Sequence, residues 1–244
     1  MTFEEELLHR RQVMQELEGF DTPTITNVIA TFPNDTENCL GLYDPWEVNW
    51  YSDHSLKCMY PEHGRRVGYV VTAVYKMPDP SYKRLAFEDI LKAADASPKP
   101  VILAIMQNFP EKFKKKNGQL GGNMLTAYKQ LGVVGVMTDG PSRDIDEIRP
   151  LGIQCMFTGL SAGHGDFAVQ AVNVPVNICG MDVVPGEIVH MDENGAVKFP
   201  AAYLDEILIR AKRVQEIDDR KQAAMRKTND PAKLAKIMKG IIED

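Results

Sequence analysis

From residue 66 onward the apolar positions gather into short β-branched runs at near-regular intervals. RVGYVVTAVY (66–75), PVILAIM (100–106), GVVGVMT (132–138), IQCMF (153–157), VPVNI (174–178) and EIVHM (187–191) each have the length and composition of a strand. Between them AFEDILKAAD (86–95) and NMLTAYKQLG (123–132) space their apolar residues for helices, the second ending on Gly132 as a helix C-cap does. Strands and helices alternate through the middle of the chain and strands crowd together later, which predicts a mixed, layered α/β fold.

The flanks are patterned differently. Phe3, Leu7, Leu8, Val13, Met14 and Leu17 keep helical spacing over residues 3–19, until Pro23 breaks the pattern. Residues 31–64 are rich in Asn, Asp, Pro and aromatics and show no sustained period, predicting a long, partly ordered excursion. After Pro200, Leu204, Ile207, Leu208, Ala211, Val214 and Ile217 form one stripe of a long helix, and PAKLAKIMKGIIED adds a second. The expected layout is one α/β domain over 1–200, carrying an N-terminal helix (2–19) and the 31–64 excursion, followed by a helical extension over 201–244.

Composition narrows the function classes. A chain of 244 residues, 44% hydrophobic, is long enough to bury a substantial core. The net charge of -6 argues against a general binder of nucleic acid or anionic membrane, and RKQAAMRK in the tail reads as a solvated helix face. Cys39, Cys58, Cys155 and Cys179 form no C-x-x-C pair, so neither a zinc ribbon nor a redox motif is expected. MTFEEELLHR is acidic and amphipathic, unlike a signal peptide, and no stretch approaches the roughly 20 apolar residues that span a bilayer. The cytoplasm is the expected compartment, and small molecules or proteins the expected partners.

Candidate chemistry sits in MTDGPSRDIDEI (137–148), behind a predicted buried strand. Arg143 can grip a planar carboxylate through paired hydrogen bonds, and its charge does not titrate away. Asp144 can hold a hard cation, and a single carboxylate suits magnesium or manganese, which keep several waters and take other ligands from the substrate. Alternatively, Asp144 caps a helix starting at Ile145 while Arg143 joins a surface ion pair. GQLGGNM (118–124) offers a glycine-rich turn ahead of a helix, where free amides favour an anion. Asp192 in MDENGAV reads as part of a hairpin turn at Asn194-Gly195.

The words GVxTDGxxRDxxE and PGExxHxDxxGAVxxP occur in order, and from Gly64 to Pro200 the chain resembles the family of class II 4-hydroxy-4-methyl-2-oxoglutarate aldolases and ribonuclease E activity regulator A-like (RraA-like) proteins. That resemblance implies an α-β-β-α sandwich related to swivelling phosphohistidine-type domains, assembled as a homotrimer or homohexamer with sites between subunits. It further implies a divalent metal, Mg2+ or Mn2+, and cleavage of 4-hydroxy-2-oxo acids to pyruvate, often with oxaloacetate decarboxylation. By the same resemblance Asp144 matches the metal-binding aspartate, Arg143 the substrate-holding arginine, and Gly121, Gly122, Asn123 and Met124 the turn whose amides receive the pyruvate carboxylate.

One position departs from the family. Active aldolases carry an acid twenty-one residues before the arginine, where this chain has Gly122, and Asn123 cannot replace its charge. Asp139, His164, Asp166, Glu187 and His190 are candidates to take its place. His164, in a glycine-flanked loop, is the favoured proton carrier, whereas His190, inside a strand, reads first as a core or interface residue. The expected function is a metal-dependent carbon-carbon lyase acting on a small 2-oxo acid through an enolate, with Arg143, Asp144 and His164 catalytic. Alternatives are a related enzyme on another oxo or sugar-derived substrate, and a non-catalytic trimeric regulator.

Overall fold

The chain begins, in a computed structural model that describes residues 2–32, 35–81 and 85–242, with two helices, α1 (Phe3–Leu17) and α2 (Thr22–Ile29). Thr2 and Glu5 cap α1 reciprocally, and Asp21 caps α2 by accepting the Thr24 amide at 2.8 Å. Pro23, anticipated as a breaker, lies in the first turn of α2, where its missing N–H costs nothing.

The central elements follow as β1 (Lys57–Cys58), β2 (Arg66–Lys76), α3 (Phe87–Ala96), β3 (Val101–Asn108), α4 (Glu111–Lys114), α5 (Gly122–Gln130), β4 (Val133–Thr138), α6 (Ile145–Ile148) and β5 (Gln154–Phe157). Then come β6 (Ala168–Val172), β7 (Val176–Ile178), β8 (Met181–Val183), β9 (Ile188–Asp192), β10 (Gly195–Phe199), α7 (Leu204–Met225) and α8 (Pro231–Met238). All six predicted strands are present. Strands β1, β6, β8 and β10 were not predicted: β1 has two residues, β6 is only partly buried, β8 has three residues, and β10 follows a hairpin turn at Glu193-Asn194, one position before the anticipated Asn194-Gly195.

A mixed α/β fold results. One sheet runs in the order β1-β5-β4-β3-β2-β9-β10, with β6 also pairing to β2; β2 through β5 are parallel, and the outer pairings antiparallel. Strand alternation sorts the core into two faces. Val71, Ala73, Tyr75, Leu103 and Ile105 pack beneath α3 and α5 with Ile90, Leu125 and Tyr128. Their neighbours Val70, Val74, Ile102 and Ala104 face the β7–β8 hairpin through Ile178 and Met181. A third cluster joins Val67, Ile188, Val197 and Phe199 to α1, α2 and the first half of α7.

The predicted 31–64 excursion is tied down rather than loose, apart from residues 33 and 34, which lie outside the described ones. Trp50 is buried, stacks on Tyr43 at 5.3 Å and donates its indole N–H to the Asp44 carbonyl at 2.9 Å, while Leu56 and Tyr60 enter the core. Aromatic anchoring of this kind leaves no periodic trace in a sequence. The tail forms the two helices expected of it, with residues 243 and 244 outside the described part. No helix among the described residues is long and apolar enough to cross a membrane.

Candidate functional site

Strand β4 has a parallel neighbour on either side, so the loop that follows it leaves the carboxyl edge of a buried sheet, where layered α/β proteins gather ligands. Asp139 opens this loop and is engaged at once, accepting the Gln107 amide at 2.7 Å and pairing with Lys114. Burial pushes its carboxyl upward, against the opposing pull of those two partners. Gly140 has no room for a Cβ, which would meet the Gln107 amide. Ser142 then bridges Leu120 and Leu160, its amide donating to the Gly159 carbonyl at 3.0 Å and its hydroxyl to the Leu120 carbonyl.

That anchoring delivers the next two side chains to the N-terminus of α5. Arg143 Nε lies 3.4 Å from Asp144 Oδ2, and the same oxygen accepts the Gly122 N–H at 3.2 Å. The Arg143 and Asp144 side chains are 35% and 30% exposed, respectively, so the pair is open on one side only. Asp144 stands at the N-cap position of α6 yet its side chain makes no capping bond there, which sets aside the helix-cap alternative. Its backbone is left-handed, φ 60° and ψ 39°, an unusual state for a non-glycine residue.

Both glycines of the turn are closely faced by charged side chains. A Cβ at Gly121 would lie 2.5 Å from Asp144 Oδ2 and 3.2 Å from Arg143 Nε. At Gly122 it would run into the carboxylate of Glu147, whose own Cβ would be 2.9 Å away. Glu147 therefore fills the space that a side chain at position 122 would occupy. The sequence reading missed this residue, although its signal was present: Asp144 and Glu147 are three apart where a helix begins, and so share one face.

The other candidates are engaged elsewhere. Glu187 accepts from Lys198 at 3.0 Å and from the Val184 amide at 2.8 Å. His190 is fully buried, with Nδ1 2.9 Å from Thr22 Oγ1 and Nε2 3.0 Å from the Phe20 carbonyl. Desolvation lowers its pKa to about 4, so it is a neutral packing residue. His164 is exposed on a loop held to the segment preceding Gly121, through Gly118 N–H to the Gly163 carbonyl (3.0 Å) and Gly165 N–H to Asn117 Oδ1 (2.8 Å). Its Nδ1 lies 3.0 Å from the Gly165 carbonyl; no hydrogen bond joins it to Arg143 or Asp144 among the described residues. Asp166 is exposed on the same loop. A cleft of 520 Å³ opens beside Asp139, Lys114, Pro141, Thr158 and Cys179; Arg143 and Asp144 do not line it.

Two features fit a hard cation with an anionic ligand. Asp144 and Glu147 bring two carboxylates against the same glycine pair, within the number magnesium uses when water and substrate complete its shell. Arg143 Nε is buried and, although Asp144 Oδ2 lies 3.4 Å away, makes no hydrogen bond of good geometry among the described residues, so it can still serve an incoming acceptor. No cluster of three or more His, Cys, Asp or Glu suited to a metal occurs among the described residues.

The layered α/β sheet thus carries an arginine, two carboxylates and a glycine-opened helix at its carboxyl edge. The RraA-like model, described as Aldolase/RraA, matches residues 42–198, and the chain belongs to that family. A Thermus thermophilus protein named 4-hydroxy-4-methyl-2-oxoglutarate aldolase is 31% identical over 87 residues, 33% of this chain and 50% of that one. The chain spans about half the length of the curated relatives it matches first. Among solved structures, a Pseudomonas syringae protein superposes with a TM-score of 0.70 at 20% identity, covering 94% of each chain. Streptomyces coelicolor RraAS2, described as an unusual member of the RNase ES inhibitor RraA family, gives 0.64 at 20% identity over 86% of this chain and 96% of its own. At such identity these two speak for the fold alone.

Proposed function

We propose that the protein is a divalent-metal-dependent carbon-carbon lyase acting on a small 2-oxo acid. The observation that carries this reading is the convergence on Gly121 and Gly122 of two carboxylates, Asp144 and Glu147, and of the Arg143 guanidinium paired to Asp144. Asp144 and Glu147 would hold Mg2+ or Mn2+, and such a cation, when bound, supplies positive charge beside a developing enolate. Arg143 binds the substrate carboxylate together with the first-turn amides of Asn123 and Met124, since Gly122 N–H already serves Asp144.

Retro-aldol cleavage takes the proton from the C4 hydroxyl, breaks the C3–C4 bond and returns a proton to C3 of the pyruvate enolate. His164 is assigned the proton. The Gly165 carbonyl can only accept, so Nδ1 donates to it and Nε2 is the nitrogen left to accept. Oxaloacetate decarboxylation would use the same enolate. The name of the Thermus relative supports the lyase, as does Glu147 in the space the family acid would fill.

Assembly into a homotrimer or homohexamer and kinship with swivelling phosphohistidine-type domains belong to the same proposal. A second reading, a non-catalytic regulator, is favoured by Gly122 and by the inhibitor family to which RraAS2 is assigned. The deciding experiment is a calorimetric manganese titration beside a panel of 2-oxo and 4-hydroxy-2-oxo acids, with and without chelator. Metal binding with chelator-sensitive turnover supports the lyase; the absence of both overturns it.

A further inference from the structure

The loop that ends in Arg143 and Asp144 begins at a different feature, the 520 Å³ cleft, whose volume falls within the range of small-molecule sites. Its walls come from segments far apart in the chain: α4, the residues just past β4 and just past β5, the β7–β8 hairpin, and Ser55 of the excursion. Strands β4 and β5 are parallel and both end in it, which is where a layered sheet presents ligand-binding loops.

The charges inside the cleft cancel. Lys114 pairs with Asp139, their side chains 19% and 13% exposed, and on the outer rim Lys115 lies 3.8 Å from Glu111. A charged ligand would have to displace one member of a pair already made and leave the other without its partner. Hydrogen-bonding capacity is left over instead. Lys114 has N–H donors beyond the one that meets Asp139, its only acceptor among the described residues. The Asp139 carboxylate can accept more than the bonds that Gln107 and Lys114 supply. The Thr158 hydroxyl makes no hydrogen bond among the described residues, and the Asn177 amide spends one N–H on Asp182 at 2.7 Å and keeps the other.

A hydroxyl group fits a lysine-aspartate pair without breaking it, because it donates to the carboxylate and accepts from the ammonium at the same time. Further hydroxyls on the same molecule can repeat that pattern on Thr158 and Asn177. Pro141 and Leu160, the second 50% exposed, add apolar wall against which the C–H face of such a molecule rests. We infer that this cleft is a second ligand site and that it binds a neutral polyhydroxylated molecule, a monosaccharide or a polyol of that size. The site is independent of the metal reading, since neither Arg143 nor Asp144 nor Glu147 lines it.

The test is calorimetric titration of the full-length protein with D-glucose, D-galactose, D-xylose and xylitol, with saturation-transfer difference NMR on the same samples. At least one of these should bind, equally well with and without EDTA, and excess pyruvate with manganese should leave it in place. Thr158→Val removes a hydroxyl that no hydrogen bond among the described residues uses, and should weaken that binding about fivefold, the scale of one neutral hydrogen bond. Lys114→Met should weaken it by about tenfold, since it removes donors at the centre of the cleft. Near-ultraviolet circular dichroism checks that each variant keeps its packing. Binding of none of these compounds, binding that needs the metal or yields to pyruvate, or binding unchanged in the folded Thr158→Val protein overturns the proposal.

Discussion

Asp144 keeps its carboxylate on the Gly122 amide by holding a left-handed backbone, at a cost of roughly 1–2 kcal/mol for a residue with a side chain. Strain retained at a candidate site motivates a functional role, and a substitution can separate the two contributions. Asp144→Gly should leave thermal stability unchanged or higher, because glycine accepts this conformation freely, while abolishing manganese binding in calorimetry. Asp144→Asn should lower turnover by about a thousandfold, the scale of several kcal/mol of lost charge stabilisation. Gly122→Asp tests the role of Glu147. Alone it should weaken metal binding, since the new side chain and the Glu147 carboxylate claim one space; combined with Glu147→Ala, it should restore binding to within about tenfold. A double variant no better than the single would show that Glu147 does not stand in for the acid.

Strand β9 and the α1–α2 corner are joined by a buried polar set. Asp192 accepts the Thr22 amide at 2.8 Å and the Asn194 amide at 2.8 Å, so the residue expected in the hairpin turn also fastens α2. His190, two residues earlier, bonds Thr22 and the corner carbonyls of Leu17 and Phe20. Desolvation holds the folded pKa of His190 near 4, below the ordinary value of 6.5, with Asp192 pulling the other way. Between pH 6.5 and 4 the unfolded chain binds the proton and the folded chain does not. Stability should accordingly be complete above pH 6.5 and fall by about 3 kcal/mol as pH drops to 4. Urea unfolding across this range would read the slope, and His190→Gln should flatten it while costing stability at neutral pH. An unchanged slope in that variant would assign the acid sensitivity to other groups.

Metal binding should also register in the stability of the folded chain. At manganese concentrations near one hundred times the Kd, a ligand specific to the native state contributes about 2.7 kcal/mol. For a protein of this length that corresponds to a rise in Tm of about 5–10 °C, removed by EDTA and absent in Asp144→Asn.

The sequence alone carried the sheet and its edge. Runs such as PVILAIM and GVVGVMT were legible because parallel strands buried on both faces are continuously apolar, and Arg143 and Asp144 were legible because they follow the second of them directly. Glycines at 121 and 122 could be read as a turn, but the reason for them could not. That reason is a close approach from α6, twenty-odd positions away, and only folding brings Glu147 over Gly122. Likewise Trp50, β6 and His190 took their places from contacts with distant segments rather than from any local period. Local patterning is set by neighbours along the chain, whereas the convergence of charges at one glycine pair depends on how loops from separate strands pack against each other.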